Sequence, residues 1–201
     1  MRAMGIPDFP GWQLLGAFPD GESDDVGSWL LADGREAMLL EVPPGLTPSY
    51  VLFALERANA KLCFVTASHD HEDHLDADAW RALEVAFPRT RFIHPQEVDR
   101  LFTRGDLRLT IGSEPLWLVK APKHSRTDIV TVFRGVAMTG DIELGTLDSV
   151  NREVPKKTKA KSMEWLAAFQ DRTGYLIHFI VSAHLNDFRL SVDWPALFRV
   201  S

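Results

Sequence analysis

The eleven residues from Ala67 to Ala77, "ASHDHEDHLDA", contain three histidines and four acids. Imidazole and carboxylate groups are common ligands of zinc-type divalent cations, with bonds of about 2.0–2.2 Å. His69 and His71 are two residues apart, and Asp73 and His74 are adjacent. One tight loop could therefore supply two ligands to each of two cations, which would neutralise the crowded acids. The alternative is an ordinary solvated turn.

Three further residues of ligand type each follow a predicted strand. They are His124 in "KAPKHSRTD", Asp141 in "AMTGD" and His184 in "VSAHLND". Loops at the ends of strands on a rigid sheet are frequent locations of functional sites, so these side chains are expected to converge on one edge. His94 and His178 do not follow this pattern, and we interpret them as packing residues or as supports of the site.

Hydrophobic periodicity predicts the elements that position these residues. The first 42 residues show short apolar runs divided by turn residues, which is typical of antiparallel strands. Thr47 and Pro48 indicate a helix start, with Val51, Leu52, Leu55 and Ala58 on its apolar face. "KLCFVTA" is predicted to be a buried strand directly before the histidine motif. Asp76 is predicted to cap the helix that follows this motif.

The rest of the chain continues in the same style. We predict a short strand in "RFIHP", a short helix in "QEVDRLFTR", four strands between residues 106 and 141, a helix in "SMEWLAAFQDR" capped by Ser162, and a last strand in "GYLIHFIVSAH". Two comparable halves, each of strands followed by helices, predict two sheets packed together with helices outside. The chain of 201 residues has no linker or repeat, so one domain spanning residues 1–201 is expected.

Composition limits the function classes. The formal net charge is −6 and the sequence pI is about 5.6, the opposite of the balance found in most proteins that bind nucleic acid. The single cysteine, Cys63, cannot form an internal disulfide. There is no apolar leader and no run of about 18 uncharged apolar residues, so we expect a cytoplasmic protein with no membrane contact.

The ordered set of ligand-type residues resembles the metallo-β-lactamase fold superfamily. The match consists of His69-x-His71-x-Asp73-His74, then His124, Asp141 in "TGD" and His184, and it spans nearly the whole chain. The resemblance implies an α+β fold, an αββα sandwich in which two mixed β-sheets pack face to face with helices on the outer faces and the site lies at one edge of the sheets. It also implies that His69, His71 and His124 hold one metal, that Asp73, His74 and His184 hold a second, and that Asp141 bridges them.

Four places depart from the usual pattern of the superfamily, and in one of them Ser182 and Ala183 precede His184 where Pro-Gly-His is common. Glu41 stands where an early strand often ends in Asp, Asp76 follows the motif where glycines are common, and Arg126 lies where a Pro-Gly-Ser-like turn is common. None of these departures removes a ligand.

The resemblance implies a metal-dependent hydrolase. Two divalent ions, zinc first and iron or manganese as alternatives, would share a hydroxide that attacks a small ester, thioester or lactone, with Asp73 as the catalytic residue that orients it. One alternative is a non-haem iron oxidoreductase on the same fold, similar to a persulfide dioxygenase. The other is a binding module with a dead site. A small-molecule substrate is the expected partner, and a homodimer is possible.

Substrate contacts are predicted from charge and position. Lys120 and Lys123, close to His124, are candidates for binding a substrate carboxylate. The basic run from Lys156 to Lys161 could meet an anionic substrate, although a solvated loop before a helix is the simpler interpretation. Trp12 and Trp29 belong to early strands that often overhang the site in the superfamily, so one of them could line the pocket.

Overall fold

The structure is a computed structural model and describes residues 8–19, 25–97, 101, 105–148 and 153–199. Within this part of the chain, two β-sheets form the interior. The first sheet has five strands in chain order: β1 (Trp12–Pro19), β2 (Asp25–Asp33), β3 (Glu36–Leu40), β4 (Lys61–Thr66) and β5 (Arg91–Phe92). Strands β1 to β3 are antiparallel, as predicted, whereas β3, β4 and β5 run parallel.

The second sheet has six strands in the spatial order β11-β10-β9-β8-β7-β6. Their bounds are β6 (Asp106–Ile111), β7 (Glu114–Lys120), β8 (Ile129–Phe133), β9 (Val136–Met138), β10 (Phe179–Val181) and β11 (Phe188–Leu190). Strand β10 pairs parallel with β9, and the other neighbours are antiparallel. The strand predicted in "GYLIHFIVSAH" is β10, which is only three residues long, and it is not the last, because β11 follows it.

Helices cover the outer faces of both sheets. They are α1 (Pro48–Ala58), α2 (Ala77–Ala86), α3 (Lys156–Ala167) and α4 (Phe169–Thr173), with short 3-10 helices at Pro95–Glu97 and Pro195–Phe198. The helix predicted over residues 96–104 lies mostly outside the described residues. No helix in the described ranges is long and apolar enough to cross a membrane.

Local sequence accounts for the starts of α1 and α2. Thr47 has extended backbone before Pro48, whose fixed φ suits the first helical position. The Asp76 carboxylate accepts a hydrogen bond of 2.8 Å from the Ala79 amide, which satisfies one of the free donors at the helix start. Leu52 was predicted on the buried face of α1, but it is 51% exposed.

The prediction for α3 was wrong at its start. Ser162 was expected to cap the helix, with a loop from Lys156 to Lys161 before it; instead these lysines form the first half of α3. Ser162 lies inside the helix, and its hydroxyl donates to the Pro122 carbonyl at 2.8 Å. Lysine has high helix propensity and its aliphatic stem can pack against apolar surface, as the buried Lys159 does, so charge alone was a poor guide to a loop.

Three layers of apolar contact hold the sandwich together, which confirms the predicted αββα arrangement. The central layer fills the space between the sheets, with Trp29, Met38, Leu118 and Phe133 among its members. One outer layer joins the first sheet to α1 and α2, and the other joins the second sheet to α3 and α4. Because the helices are amphipathic, each buries only the stripe that faces its sheet.

Trp12 and Trp29 both belong to the central layer. Their rings meet edge to face at 6.0 Å, and the Trp12 indole donates to the Phe133 carbonyl at 3.0 Å. The two side chains are 5% and 1% exposed. The expectation that one of them lines a pocket was therefore wrong, since both fill the space between the sheets.

Strand directions place the predicted ligands on one edge of the sandwich. The carboxyl ends of β4, β9 and β10 meet there, followed by His69, Asp141 and His184 respectively, and this edge is called the site edge below. The two sheets are joined at this edge by backbone hydrogen bonds from Ile129 to Ser68 at 2.7 Å and from Gly27 to Ala183 at 2.9 Å.

Asp33 joins the sheets at the opposite edge. Its carboxylate accepts from the Ser113 amide at 2.8 Å and from the Ser113 hydroxyl at 3.0 Å, and it forms an ion pair with Arg134. Ser113 lies in the turn between β6 and β7, and Arg134 follows β8. The hydrogen bond from the Ser113 amide is the main cause that holds the pKa of Asp33 below its usual value.

Asp33→Asn is expected to lower the free energy of unfolding by about 1–2 kcal/mol at pH 7, because it weakens charge-assisted hydrogen bonds. A folded-state pKa below the unfolded value means that the ionised carboxylate contributes stability above about pH 3.9 and loses it as pH falls further. The difference in free energy of unfolding between wild type and variant, measured by urea unfolding, should therefore decrease below pH 4. A gap independent of pH would contradict the role of the charge.

Candidate metal centre

Seven side chains converge at the site edge, and they are the seven predicted from the sequence. Their ligand-type atoms fall into three groups in which all atoms lie within 4.8 Å of one another: His69, His71 and His124; Asp73, His74 and His184; and His69, His74 and Asp141. The first two groups match the two sets implied by the family resemblance. The third group links them.

The first group consists of three imidazoles with facing nitrogens. His69 Nε2 lies 3.0 Å from His71 Nδ1, and His124 Nε2 lies 3.4 Å from the same atom. In the second group, His74 Nε2 lies 3.3 Å from His184 Nε2 and 3.3 Å from Asp73 Oδ2. Both groups therefore present converging ring nitrogens.

Asp141 lies between the two groups. Its Oδ2 atom is 3.3 Å from the Nε2 atoms of His74 and His184, 3.7 Å from that of His124 and 3.8 Å from that of His69. The other oxygen, Oδ1, is buried and has no hydrogen-bond partner among the described residues. A buried carboxylate oxygen without a donor is costly, so its position indicates an additional positive group.

This spacing fits divalent cations. Ligand atoms of a tetrahedral zinc site, with bonds of about 2.0–2.1 Å, lie about 3.3 Å from one another. Two neutral imidazole nitrogens that face each other at 3.0 Å can share only one proton, whereas a cation between several nitrogens uses all of their lone pairs. The residues present therefore fit two metal ions, and the solvated-turn interpretation does not account for this convergence.

Charge within the cluster is strongly perturbed. Burial alone would raise the pKa values of the two aspartates, but their hydrogen bonds to imidazoles outweigh burial. The pKa of Asp73 falls to about 2, and that of Asp141 is held well below its usual range. Burial is the main cause that lowers the pKa of His69, with the nearby His74 adding to the effect. The carboxylates therefore remain anionic and His69 remains neutral near pH 7. Burial alone would lower the pKa of His74, but its hydrogen bonds to Asp141, Asp73 and Glu41 raise it, and the hydrogen bond to Asp141 raises the pKa of His184. A metal ion bound by these two imidazoles would displace their protons.

Glu41 orients the loop that carries the motif. This residue is fully buried and has a left-handed backbone with φ of 68°. Both carboxylate oxygens accept from the Ser68 amide at 3.2 Å, and Oε2 lies 3.4 Å from His74 Nδ1. The Ser68 hydroxyl in turn lies 3.0 Å from His69 Nδ1. The longer side chain found in place of the usual Asp thus still reaches two elements of the site.

Asp128 fixes the loop of His124, a role that sequence reasoning missed. Its Oδ2 atom accepts from the backbone amides of Lys123, His124 and Ser125 at 2.8, 2.6 and 2.9 Å, and Oδ1 accepts from the Ser125 hydroxyl at 2.7 Å. Aspartate is common in turns because its short carboxylate reaches nearby backbone amides, but the amides bonded here precede it in the chain, so the usual Asx-turn pattern would not have identified this role. The departure at Arg126 therefore leaves a well-bonded turn in place.

Gly140 permits the close approach of the Asp141 loop. Its φ is +58°, and a Cβ atom at this position would lie 2.9 Å from both the Cβ and the hydroxyl of Ser68. Only glycine adopts this backbone without strain and without a clash. The "TGD" sequence thus brings Asp141 against the histidine motif.

The predicted substrate lysines lie elsewhere. Lys123 is fully buried, and its ammonium pairs with Glu143 at 2.9 Å and donates to the Asp148 carbonyl at 3.4 Å, so this geometry does not favour contact with a substrate. Lys120 lines a cleft of about 260 Å³ beneath α3, together with Lys161 and Trp165.

A separate cleft lies next to Asp141 and His184, and the sequence analysis did not identify the residues that line it. It has a volume of about 340 Å³, and Ile142, Leu144 and Arg189 are among the residues that line it.

His94 and His178 do not join the cluster, as expected. The His94 ring packs edge to face on Trp80 with centroids 5.7 Å apart, and its Nδ1 atom accepts from the Gln96 amide. His178 lies directly before β10 and is exposed, with its ring 6.2 Å from that of Phe179, so the predicted packing role does not hold for this residue.

Comparison with known proteins relates this fold to one group of structures. No family model and no curated protein sequence matches the chain. The structure of the B3 metallo-β-lactamase BLEG-1 is similar with a TM-score of 0.61 and 15% identity, over 89% of this chain and 93% of that one.

Two further solved structures agree. A metallo-β-lactamase family protein from Thermus thermophilus gives a TM-score of 0.59 and 16% identity, over 94% of this chain and 77% of its own. An archaeal metallo-β-lactamase superfamily protein from Sulfolobus tokodaii gives 0.55 and 12%, over 94% and 83%. The topology of the two sheets and these similarities establish that the chain has the metallo-β-lactamase fold.

Proposed function

We propose that the protein is a metal-dependent hydrolase that acts on a small ester, thioester or lactone. The observation that carries this proposal is the position of Asp141 Oδ2 between two groups of three ligand-type side chains. A fold supports many functions, so the argument rests on these residues and not on the architecture.

His69, His71 and His124 would hold one cation, and Asp73, His74 and His184 the second, with Asp141 in contact with both. Zinc suits this nitrogen-rich set, and iron or manganese would also accept it. When bound, such ions supply a water-derived nucleophile near neutral pH and polarise the oxygen of the substrate group that is attacked.

The protein's own residues prepare the site for this chemistry. Burial of His69 and His74 removes water from one side of the cluster, which strengthens electrostatic interactions there. Glu41 and Asp128 hold the two histidine loops, so the ligands do not need to reorganise when a substrate binds. Asp73, half-buried at the rim of the cluster, would orient the attacking group by accepting a hydrogen bond.

The adjoining cleft fits a small substrate better than a polymer. Its volume of about 340 Å³ is at the lower end of the range for small-molecule pockets. Ile142 and Leu144 provide apolar contact, and the polar lining includes Glu143 and Arg189, the latter paired with Asp187 at 2.7 Å. A compact, partly polar acyl compound is the class that these walls suit.

The direct test is metal analysis of protein purified without added metal, followed by assays with ester, thioester, lactone and β-lactam substrates. Two equivalents of zinc or manganese and hydrolysis of one substrate class would support the proposal. Iron together with substrate-dependent oxygen consumption would favour the non-haem iron oxidoreductase instead. Folded protein that takes up no metal would identify a binding module.

Removal of metal is expected to lower the melting temperature by about 5–10 °C. A ligand present at 100 times its dissociation constant stabilises the folded state by about 2.7 kcal/mol, and 1 kcal/mol corresponds to about 2–4 °C for a chain of this size. Without cations, Asp73 and Asp141 also lose their counter-charge. Calorimetry before and after exhaustive chelation, with metal loss verified, measures the shift; identical melting curves would contradict a tightly held centre.

A further inference from the structure

A second cleft, of about 810 Å³, opens on the outer side of the first sheet. It lies between the carboxyl ends of α1 and α2 and the start of β4. Its apolar walls include Leu52, Leu55, Leu62 and Phe87. Leu52 is 51% exposed, and the neighbouring Phe53 is 61% exposed. Apolar side chains concentrated on a concave surface of this volume are typical of a ligand-binding cleft.

The same cleft is lined by cationic groups. Three cationic residues line it, Arg35, Lys61 and Arg89, and one acidic residue, Glu56. The lining therefore has a formal charge of +2. Arg35 and Arg89 are exposed and form no ion pair with any residue in the described ranges. Lys61 lies 3.6 Å from Glu36, and its side chain is 73% exposed, so this pair is weak. A cleft with excess positive charge in a chain of net charge −6 attracts anions locally.

This cleft is separate from the metal centre. Lys61 begins β4, whereas the histidine motif follows the end of that strand at Thr66. At about 3.3 Å per residue, the strand separates the two places by about 17 Å. The apolar and cationic residues therefore have no role in the proposed hydrolysis.

We propose that this cleft binds a single-chain anionic amphiphile, such as a free medium-chain or long-chain carboxylate. The hydrocarbon chain would lie on Leu52, Leu55 and Phe87, and the carboxylate would lie between the guanidinium groups of Arg35 and Arg89. Guanidinium binds carboxylate through two parallel hydrogen bonds, which gives this pairing its strength and orientation.

A second copy of the chain suits the cleft less well. A two-fold contact would bring the same rim residues from both copies together, and the excess positive charge of one cleft would face that of the other. Like charges across an interface oppose association. An anion with an apolar chain satisfies both features of the cleft.

Titration calorimetry with monomeric dodecanoate, on the full chain with its metal content unaltered, tests the proposal. We expect binding at one site per chain, and at least 10-fold weaker binding by the double variant Arg35→Glu/Arg89→Glu. Leu52→Ser, which changes an exposed wall residue, should also weaken binding. The matched control is Lys157→Glu/Arg199→Glu, which has the same net charge but alters exposed cations outside the cleft. This control should bind as wild type does.

Comparison ligands complete the experiment. Dodecyltrimethylammonium should bind at least 10-fold more weakly than dodecanoate, because its positively charged head group is repelled by the positively charged cleft. The proposal is overturned if wild type does not bind dodecanoate, if both double variants lose affinity equally, or if the cationic amphiphile binds as well. Sedimentation with anionic vesicles in the absence of dodecanoate binding would point to a membrane surface and would also overturn it.

Discussion

Asp73→Asn is expected to lower hydrolytic activity by at least about 100-fold, equivalent to roughly 2.7 kcal/mol of transition-state stabilisation. The substitution preserves size but removes the negative charge that lies 3.3 Å from His74 Nε2 and 3.7 Å from His184 Nε2. The second cation should therefore bind more weakly, whereas the group formed by three histidines should keep its own. Metal content should fall from two equivalents to one.

Metal analysis and steady-state kinetics on the same preparations provide the measurement. His94→Gln is the matched control, because His94 packs on Trp80 outside the cluster, and it should retain activity and both metals. Normal turnover by Asp73→Asn with two bound metals would show that the proposed mechanism is wrong. Loss of activity by both variants would instead indicate a general effect on folding.

Asp128→Ala is expected to weaken binding of the first cation, whereas Asp73→Asn weakens binding of the second. The Asp128→Ala substitution leaves three backbone amides and the Ser125 hydroxyl without their common acceptor. Asp128 is only 2% exposed, so water replaces this acceptor poorly. Unsatisfied buried donors cost about 1–3 kcal/mol each, and partial access of water reduces this sum, so we expect a loss of stability of about 3 kcal/mol. His124 would lose its fixed position, and the first cation should bind more weakly.

Asp128→Asn separates orientation from charge. Its amide oxygen can still accept from the amides, so it should recover part of the stability and most of the metal affinity. Chemical unfolding and metal titration on both variants, with Asp78→Ala as an exposed acidic control, measure these effects. Equal metal binding by wild type and Asp128→Ala would refute a positioning role for this carboxylate.

Much of the fold could be predicted because local signals agreed with the global arrangement. Asp76 and Pro48 marked helix starts that the structure confirms, and apolar runs marked the strands of both sheets. The errors have a common cause. The charged run Lys156 to Lys161 was interpreted as a loop although it begins α3, and Leu52 was placed on the buried face of α1 because it is apolar, although it is exposed. Residue type predicts helix formation and burial only weakly, because tertiary contacts decide both.

The seven ligand-type residues were determined by the sequence itself. A motif of histidines and aspartates followed by further residues of the same types after strand ends predicts a metal site, so these residues could be selected before any geometry was known. They are His69, His71, Asp73, His74, His124, Asp141 and His184. The chemistry of these side chains is intrinsic and does not depend on the fold.

Only the tertiary structure decided which of these residues face each other and what supports them. Asp141 and His184 meet because β9 and β10 are parallel neighbours, although 43 positions separate the two residues in the chain. The same packing buries Lys123 against Glu143, and it makes Glu41 and Asp128 acceptors for the two histidine loops. It also brings Arg35 and Arg89, from different connections, to one apolar cleft. Such contacts depend on strand order and loop path, which are set by the packing of the whole chain and leave no local mark in the sequence.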